Sequence, residues 1–226
     1  MDFVVHRYEL LDSTQDKARR LLTSGEAFAG HVVLADAQRA GRGRFGRAWI
    51  SPSGGFYATF LLRESPLPSI RAGLAAVRTL RTLGLKAQLK WPNDVLVGER
   101  KLAGILVETK EDVLLVGFGI NLALSPLPTA TSLAECGVEA ERDVLLERIG
   151  RELHGILSPK QAIEAIEAYR SCCATLGRAV RIRRADGTTV EGRAVDVDGS
   201  GSLLVETVEG LATISSGECE HVVGGS

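Results

Sequence analysis

Apolar residues near the start of the chain follow first a helical spacing and then a strand spacing. Ser13 or Thr14 can cap a helix, because apolar residues then recur at intervals of three and four positions until Gly25 ends the pattern. A strand is predicted next, over residues 31–37. Residues 39–47 have no hydrophobic period, which predicts a loop.

The middle of the chain predicts another helix and an antiparallel meander. A strand over residues 55–62 precedes a helix over residues 70–80, for which Ser69 is the predicted cap. Three further strands are joined by short polar turns and cover residues 94–97, 101–109 and 113–122. Because residues 102–107 are apolar on both faces, we expect helices to pack on both sides of this sheet.

The character of the sequence changes near Gly177. Helical spacing covers residues 144–157 and 161–176 and stops at this glycine. Short runs of alternating polar and apolar residues follow, which predict a small all-β barrel. We therefore predict an α+β protein of two domains, with helices flanking a mixed, largely antiparallel sheet in residues 1–176 and the barrel in residues 177–226.

The composition narrows the class of protein. The 226 residues are 45% hydrophobic, and 27 basic against 28 acidic side chains leave a net charge of −1, so no global field draws the chain to nucleic acid or to a membrane. No signal peptide or membrane span is visible. The histidines are scattered, and the cysteines lack CxxC spacing, which predicts a cytoplasmic protein without a zinc site.

Residues 39–49 concentrate positive charge. Four arginines without an acidic neighbour alternate with glycines, in the order Arg39, Gly41, Arg42, Gly43, Arg44, Gly46 and Arg47. Glycine lets a backbone approach an anion closely, and guanidinium groups bind phosphate or carboxylate oxygens in pairs. A solvated basic loop with weak RNA affinity, stacking bases on Phe45 and Trp49, explains the segment equally well.

The segment Lys90-Trp-Pro-Asn-Asp94 offers candidate metal ligands. Asn93 and Asp94 follow a proline at the mouth of a predicted strand, where an amide and a carboxylate can hold Mg²⁺ and triphosphate oxygens. Pro-Asn-Asp is also common turn chemistry, and the segment alone favours an ordinary turn.

Lys101 begins the apolar strand and requires a negative partner there. Either Asp94 or Glu108 can serve this purpose structurally, and an anionic ligand can serve it functionally. Gly104, in the middle of the same strand, indicates the close approach of a ligand or of another backbone.

A further glycine pattern marks the next strand. Gly117, Gly119 and Asn121 share one face of the strand, while Phe118 and Ile120 point to the other. A flat ligand can lie on the two glycines with Asn121 at its edge, or the glycines can mark a bulge or a tight crossing.

Taken together, these motifs resemble the biotin protein ligase family over nearly the whole chain. The matching motifs are Asp12-Ser-Thr14, Gln38-x-x-Gly-Arg-Gly-Arg-x-Gly-Arg-x-Trp49, Ser51-Pro-x-Gly-Gly55, Lys90-Trp-Pro-Asn-Asp94, Arg100-Lys-Leu-Ala-Gly-Ile-Leu106, Gly117-x-Gly-Ile-Asn121 and Thr131-Ser-Leu133. The C-terminal region resembles the small SH3-like domain of that family. The resemblance implies that biotin and Mg·ATP form biotinyl-5′-AMP and that a lysine of a biotin carboxyl carrier protein then takes the biotinyl group.

The resemblance also implies roles for individual residues. Those implied to bind biotin are Ser13, Thr14, Gln38, Gly41, Arg42, Arg44, Lys101, Gly104, Gly117 and Gly119. Those implied to bind ATP are Arg42, Arg44, Arg47, Trp49, Lys90, Asn93 and Asn121. Lys101 is the first candidate for catalysis, together with Arg44 and Asp94, and the magnesium ligands would be Asn93 and Asp94.

Two departures from the family pattern affect the prediction. The chain starts directly with the catalytic domain, without the winged helix-turn-helix of longer members, so binding to nucleic acid is not expected. Gln15 stands where the family often has Asn, which leaves that contact with biotin open. A lipoate ligase of the same ancestry and a non-enzymatic RNA-binding module are the rival functions, and an exposed sheet edge is compatible with a homodimer.

Overall fold

The computed structural model describes residues 3–156 and 162–222. Its helices are α1 (Thr14–Thr23), α2 (Pro68–Thr82), α3 (Arg142–Ile156) and α4 (Ala162–Cys172). Its strands are β1 (Val4–Leu11), β2 (His31–Gln38), β3 (Phe56–Arg63), β4 (Ala87–Lys90), β5 (Asp94–Val97), β6 (Arg100–Lys110), β7 (Val113–Ile120), β8 (Ala179–Arg183), β9 (Thr189–Val197), β10 (Leu203–Thr207), β11 (Gly210–Ile214) and β12 (Glu218–His221).

The first seven strands form one mixed sheet in the order β1-β2-β3-β7-β6-β5-β4. Only the β1–β2 pair among them is parallel, and the predicted meander of β5, β6 and β7 is confirmed. The pairing of β7 with β3 and β6 shows no register shift, so its glycines do not mark a bulge. Strands β1 and β4 were not predicted, and they lie at the two ends of the described sheet.

Helices pack on both faces of the sheet. Strand alternation turns Val33 to one face, where it clusters with Ala18 and Leu21 of α1. It turns Val32 to the opposite face, where the larger apolar cluster includes α2, and α3 and α4 contact α2 in turn. On β6 the expectation holds for one face only, because α2 contacts this strand while Gly104 lines an open cavity.

Two helix ends differ from the prediction. The cap of α2 is Leu67 in a left-handed conformation with Pro68 in the first turn, and not Ser69. Helix α4 ends at Cys172 instead of continuing to residue 176. Its helical spacing is overridden by a tertiary contact, since Ala174 N donates to Leu89 O at 2.7 Å and thereby joins the chain to β4. The predicted helix ends at residues 157 and 161 lie outside the described residues.

The C-terminal strands form a five-stranded antiparallel sheet in the order β11-β10-β9-β8-β12. Within the described chain, β11 and β12 are the outer strands, and no pairing between them closes the predicted barrel. The larger apolar cluster continues into this sheet through Val180 and Leu203. The division into domains at residues 176 and 177 stays a prediction. No helix in the described ranges is long and apolar enough to cross a membrane.

Candidate functional site

A cavity of about 450 Å³ opens on the face of β6 and β7 that α2 does not cover. Its lining includes every predicted site residue except Gly41 in the described part of the chain, namely Ser13, Thr14, Gln38, Arg42, Arg44, Arg47, Trp49, Lys90, Asn93, Asp94, Lys101, Gly104, Gly117, Gly119 and Asn121. Residues separated by as many as 108 positions in sequence therefore share one surface.

Gly41 lies behind the cavity wall. A Cβ atom there would come within 2.5 Å of Trp49 O and 2.6 Å of Ser51 Oγ, while Trp49 N donates to Gly41 O at 2.8 Å. The glycine thus permits the close crossing that folds the arginine loop back on itself. This geometry gives Gly41 a part in shaping the loop, and its predicted contact with biotin stays a prediction.

One end of the cavity carries neutral hydrogen-bonding groups. Gln38 Oε1 accepts from Thr14 N at 2.7 Å and from Thr14 Oγ1 at 3.1 Å, and Gln38 Nε2 donates to Ser51 Oγ at 2.8 Å. Ser13 caps α1 by accepting from Asp16 N at 3.4 Å. The N-terminus of α1 is thereby fixed against the end of β2, and this fixes the position of both hydroxyls.

Gln15 belongs to the same end of the cavity, although the sequence analysis left its role open. Its Nε2 donates to Glu108 Oε2 at 3.1 Å and to Leu115 O at 3.0 Å, and its Oε1 accepts from Thr59 Oγ1 at 3.1 Å. A Cβ atom on Gly117 would lie 2.8 Å from Gln15 Oε1, so Gly117 makes room for this amide. The two acceptors of Nε2 fix the orientation of the amide, with its oxygen towards Gly117.

A group of ion pairs surrounds the neutral end. Arg42 Nη2 lies 2.7 Å from Asp16 Oδ1, and Arg42 Nη1 lies 3.3 Å from Glu108 Oε1. Arg19 Nη2 approaches Glu108 Oε2 to 2.7 Å. Burial alone would raise the pKa of Glu108, but hydrogen bonds from Gln15, Arg42 and Arg19 outweigh it and hold this pKa below its ordinary value.

We expect Glu108→Gln to lower the free energy of unfolding near pH 7 by about 1–2 kcal/mol, because two guanidinium groups lose their charged acceptor. A carboxylate with a lowered pKa stabilises the fold above its ordinary value of 4.5, and the effect is lost as the pH falls through the folded-state pKa. Chemical denaturation at pH values from about 3 to about 7 measures the difference in free energy of unfolding between the variant and the wild type. Glu111→Gln, at an exposed carboxylate, is the control. A difference that does not vary with pH would contradict the role of this ion pair.

The opposite end of the cavity is cationic and includes part of the C-terminal sheet. Arg47 forms an ion pair with Glu218, which also binds Arg183 at 2.7 Å. Arg44 Nη1 donates to Gly217 O at 3.4 Å, and burial lowers the pKa of Arg44. This part of the wall was not predicted, and it consists of Gly217, Glu218, Cys219 and Glu220. No local motif marks these residues, because their place depends on how the two sheets meet.

Trp49 covers the glycines on the cavity floor. A Cβ atom on Gly119 would lie 2.5 Å from Trp49 Cε2 and Nε1, and one on Gly104 would lie 3.0 Å from Trp49 Cζ3. Lys101 Nζ lies 5.1 Å from the centre of the indole ring, within the range of a cation–π interaction. In the described residues, the buried Trp49 Nε1 has no hydrogen-bond partner. The bare glycine surface therefore accommodates a flat ring, which here is the protein's own indole.

Lys101 pairs with Asp94 and not with Glu108, at 2.7 Å between Nζ and Oδ1. Asn93 holds the chain beside them, since its Nδ2 donates to Ile105 O at 2.9 Å and its O accepts from Ile105 N at 2.9 Å. Asn121 Nδ2 donates to Thr131 O at 2.9 Å. A neutral hydrogen-bonding end and a cationic end thus meet in one cavity, which suits an elongated ligand with a polar head and an acidic tail.

Family models match both parts of the chain. The Biotin/lipoate A/B protein ligase family matches residues 8–125, and the Biotin protein ligase C terminal domain matches residues 175–222. The chain therefore belongs to the biotin protein ligase family, which confirms the resemblance inferred from the motifs.

Individual relatives are similar over most of this chain. A biotin–[acetyl-CoA-carboxylase] ligase of Mycobacterium tuberculosis is 34% identical over 88% of this chain and 82% of its own. The structure of a biotin protein ligase from Aquifex aeolicus in complex with biotin and ATP superposes with a TM-score of 0.80, at 32% identity over 96% of this chain and 97% of the other. The ligase of Leishmania major in complex with biotinyl-5-AMP gives 0.70, at 27% identity over 94% and 99%.

Proposed function

We propose that the protein is an ATP-dependent biotin protein ligase, which makes biotinyl-5′-AMP from biotin and ATP and then biotinylates a lysine of a biotin carboxyl carrier protein. The observation that carries this proposal is the meeting of a neutral polar end and a cationic end within one cavity. Relatives named for biotin and acetyl-CoA-carboxylase support the choice of substrate and acceptor.

The neutral end is proposed to bind the ureido ring of biotin. Ser13, Thr14 and Gln38 supply buried donors and acceptors, and such groups reject analogues that leave them unpaired. Gly104 and Gly119 are proposed to leave room for the bicycle, which requires the Trp49 indole to move away from them. Gly117 is proposed to act at the same place by making room for the Gln15 amide beside the bicycle. Arg42, Arg44 and Lys101 then face the acidic end of the ligand.

The cationic end is proposed to bind ATP. Arg47 at this end pairs with Glu218, and Arg42, beside the neutral end, pairs with Asp16 and Glu108; phosphate oxygens of ATP can take the place of these carboxylates. The remaining residues proposed for ATP are Arg44, Trp49, Lys90, Asn93 and Asn121.

The proposed chemistry is displacement at phosphorus. A carboxylate oxygen of biotin attacks the α-phosphorus of ATP, and pyrophosphate leaves. The amine of the acceptor lysine then attacks the acyl carbon of the mixed anhydride, AMP leaves, and the nitrogen loses a proton. Because two anions must meet in line, fixed positive groups such as Lys101 and Arg44 matter more than a covalent nucleophile.

The residues Asn93 and Asp94 fit a magnesium ion that is shared with the substrate. Mg²⁺ prefers one or two carboxylates together with phosphate oxygens and water, and the cavity lining includes the Asp94 carboxylate and the Asn93 amide. Clusters of three or more His, Cys, Asp and Glu side chains are absent from the described ranges, so no cage made by the protein alone is proposed. When bound, the ion would neutralise charge on the departing pyrophosphate.

The decisive experiment is incubation with biotin, Mg·ATP and a biotin carboxyl carrier domain, followed by mass spectrometry of the acceptor. The expected result is a mass increase of one biotinyl group that requires both biotin and ATP. An unchanged acceptor mass, together with no biotin-stimulated formation of AMP, would overturn the proposal. Pyrophosphate exchange driven by lipoate and not by biotin would instead support the lipoate ligase.

The other predictions concern location and partners. The four cysteines are free thiols, which is compatible with the predicted cytoplasmic location. The pairing of Arg42 and Arg47 with carboxylates favours a preformed ligand site over an RNA-binding loop. Independence from nucleic acid and the formation of a homodimer both stay predictions.

A further inference from the structure

The segment Lys90-Trp-Pro-Asn-Asp94 is held by groups outside its own sheet. Trp91 is 2% exposed, and its indole Nε1 donates to Gly201 O, in the turn between β9 and β10 of the C-terminal sheet, at 3.1 Å. The backbone N of Trp91 donates to Thr175 Oγ1 at 3.0 Å. The flanking strands β4 and β5 have four residues each, and these two contacts fix Trp91 between them, as the bonds with Ile105 fix Asn93.

Thr175 also contacts the last strand, β12. Its Oγ1 lies 3.1 Å from His221 Nε2, and Thr175 is fully buried. The threonine hydroxyl accepts from Trp91 N and keeps one hydrogen and a second lone pair for the histidine. In the neutral ring with the proton on Nδ1, His221 Nε2 accepts this hydrogen.

The surroundings of His221 favour this neutral form. The pKa of His221 is lowered to about 4, chiefly by burial and in addition by the positive charges of Lys90 and Arg178, against a smaller opposite effect of the negative charge of Glu99. Arg178 binds Glu99 at 2.7 Å, which weakens the attraction of Glu99 for a charged ring. The acceptor for the Thr175 hydroxyl is thus available at neutral pH.

We propose that Thr175 and His221 are positioning residues for the nucleotide end of the site. The hydrogen bonds from Thr175 to His221 and from Trp91 N to Thr175 join the C-terminal sheet to the segment that carries Lys90, Asn93 and Asp94. This inference rests on the proposed function, in which these three side chains bind ATP and magnesium. Removal of the hydroxyl leaves a buried N–H without an acceptor, and the segment must then move to find one.

Removal of the Thr175 hydroxyl is expected to weaken the binding of ATP and not that of biotin. The proposed biotin contacts Ser13, Thr14 and Gln38 are fixed by α1 and β2. Among the described contacts, these two elements have no hydrogen bond to the relay, which consists of Trp91, Thr175 and His221. ATP binding depends on segment 90–94, where a displacement of about 1 Å is costly. A general loss of folding would weaken both substrates together.

The test compares Thr175→Val, which removes the hydroxyl at nearly constant volume, with Thr175→Ser, which keeps it. We expect Thr175→Val to raise the KM for ATP by about fivefold to tenfold, the range for one lost hydrogen bond of this kind. The dissociation constant for biotin without ATP should stay within about twofold. Thr175→Ser should restore the KM for ATP, and hydrogen exchange of residues 90–94 should be faster in the valine variant only.

If Thr175→Val does not fold, His221→Leu removes the acceptor at a less buried position, with His221→Gln as its control.

Each outcome bears on a separate claim. An unchanged KM for ATP and unchanged exchange at residues 90–94 in Thr175→Val would overturn the relay, as would an equal loss of biotin affinity. A further outcome is that the wild-type protein forms no biotin-dependent AMP while hydrogen exchange of residues 90–94 is faster in the valine variant. That combination would support the hydrogen bonds of Thr175 as a structural connection and refute only the proposed function.

Discussion

Lys101→Ala is expected to lower the rate of biotinyl-AMP formation by about 10²–10³-fold, the usual cost of removing one preorganised charge from a site of this kind. Lys101 Nζ lies 2.7 Å from Asp94 and 5.1 Å from the centre of the Trp49 ring, so it stands between the two ends of the cavity. A proposed reaction that brings a carboxylate to a triphosphate depends on a cation at this point. Biotin-dependent pyrophosphate exchange measures the effect.

The controls separate charge at this position from charge in general. Lys101→Arg keeps the charge and replaces a compact ammonium with a planar fork, so we expect only partial activity. Lys86→Ala removes an exposed lysine that does not line the described cavity and should leave the rate unchanged. Thermal unfolding of Lys101→Ala should stay close to that of the wild type, because a partly exposed pair contributes little. Near-normal turnover in this variant would remove Lys101 from its proposed role.

Local spacing was sufficient to predict much of the fold. Helix α1 starts at Thr14 after the cap at Ser13, as the apolar period indicated, and the meander of β5, β6 and β7 follows from three apolar runs with short polar turns. The arginine loop and the glycines of β7 were also recognised as candidate site residues from their sequence alone. In each of these cases, the signal lies within about ten neighbouring residues.

Contacts between distant segments account for the features that were missed. Strand β4 has only four residues, and its pairing with β5 decides its conformation more than its composition does. Helix α4 ends early because Ala174 binds Leu89, which lies 85 positions away. Glu218 carries no motif and meets Arg47 only when the two sheets assemble. Gln15, in contrast, did have a signal, since it directly follows the two predicted contacts Ser13 and Thr14.

Gly119→Ala is expected to weaken biotin binding by about tenfold or more, the range for one extra carbon in a filled site. The added Cβ would lie 2.5 Å from the fused part of the Trp49 indole, and a rigid ring cannot yield as the end of a flexible chain can. Gly119 pairs with Tyr57 on one side and with Gly104 on the other, so its backbone is fixed in the middle of the sheet. Either the indole moves off the floor or the methyl group stands where the bicycle is proposed to lie. Calorimetric titration with biotin measures the loss.

A graded series distinguishes a steric effect from a general one. Gly104→Ala should cost less than Gly119→Ala, because its Cβ would meet Trp49 Cζ3 at 3.0 Å and needs a smaller shift. Gly155→Ala is the control, since a Cβ there would have no neighbour within 4 Å, and alanine in an exposed helix position is expected to be neutral or stabilising. Equal biotin affinity in all three variants would show that the glycine floor tolerates side chains, and the indole would then have no part in shaping the pocket.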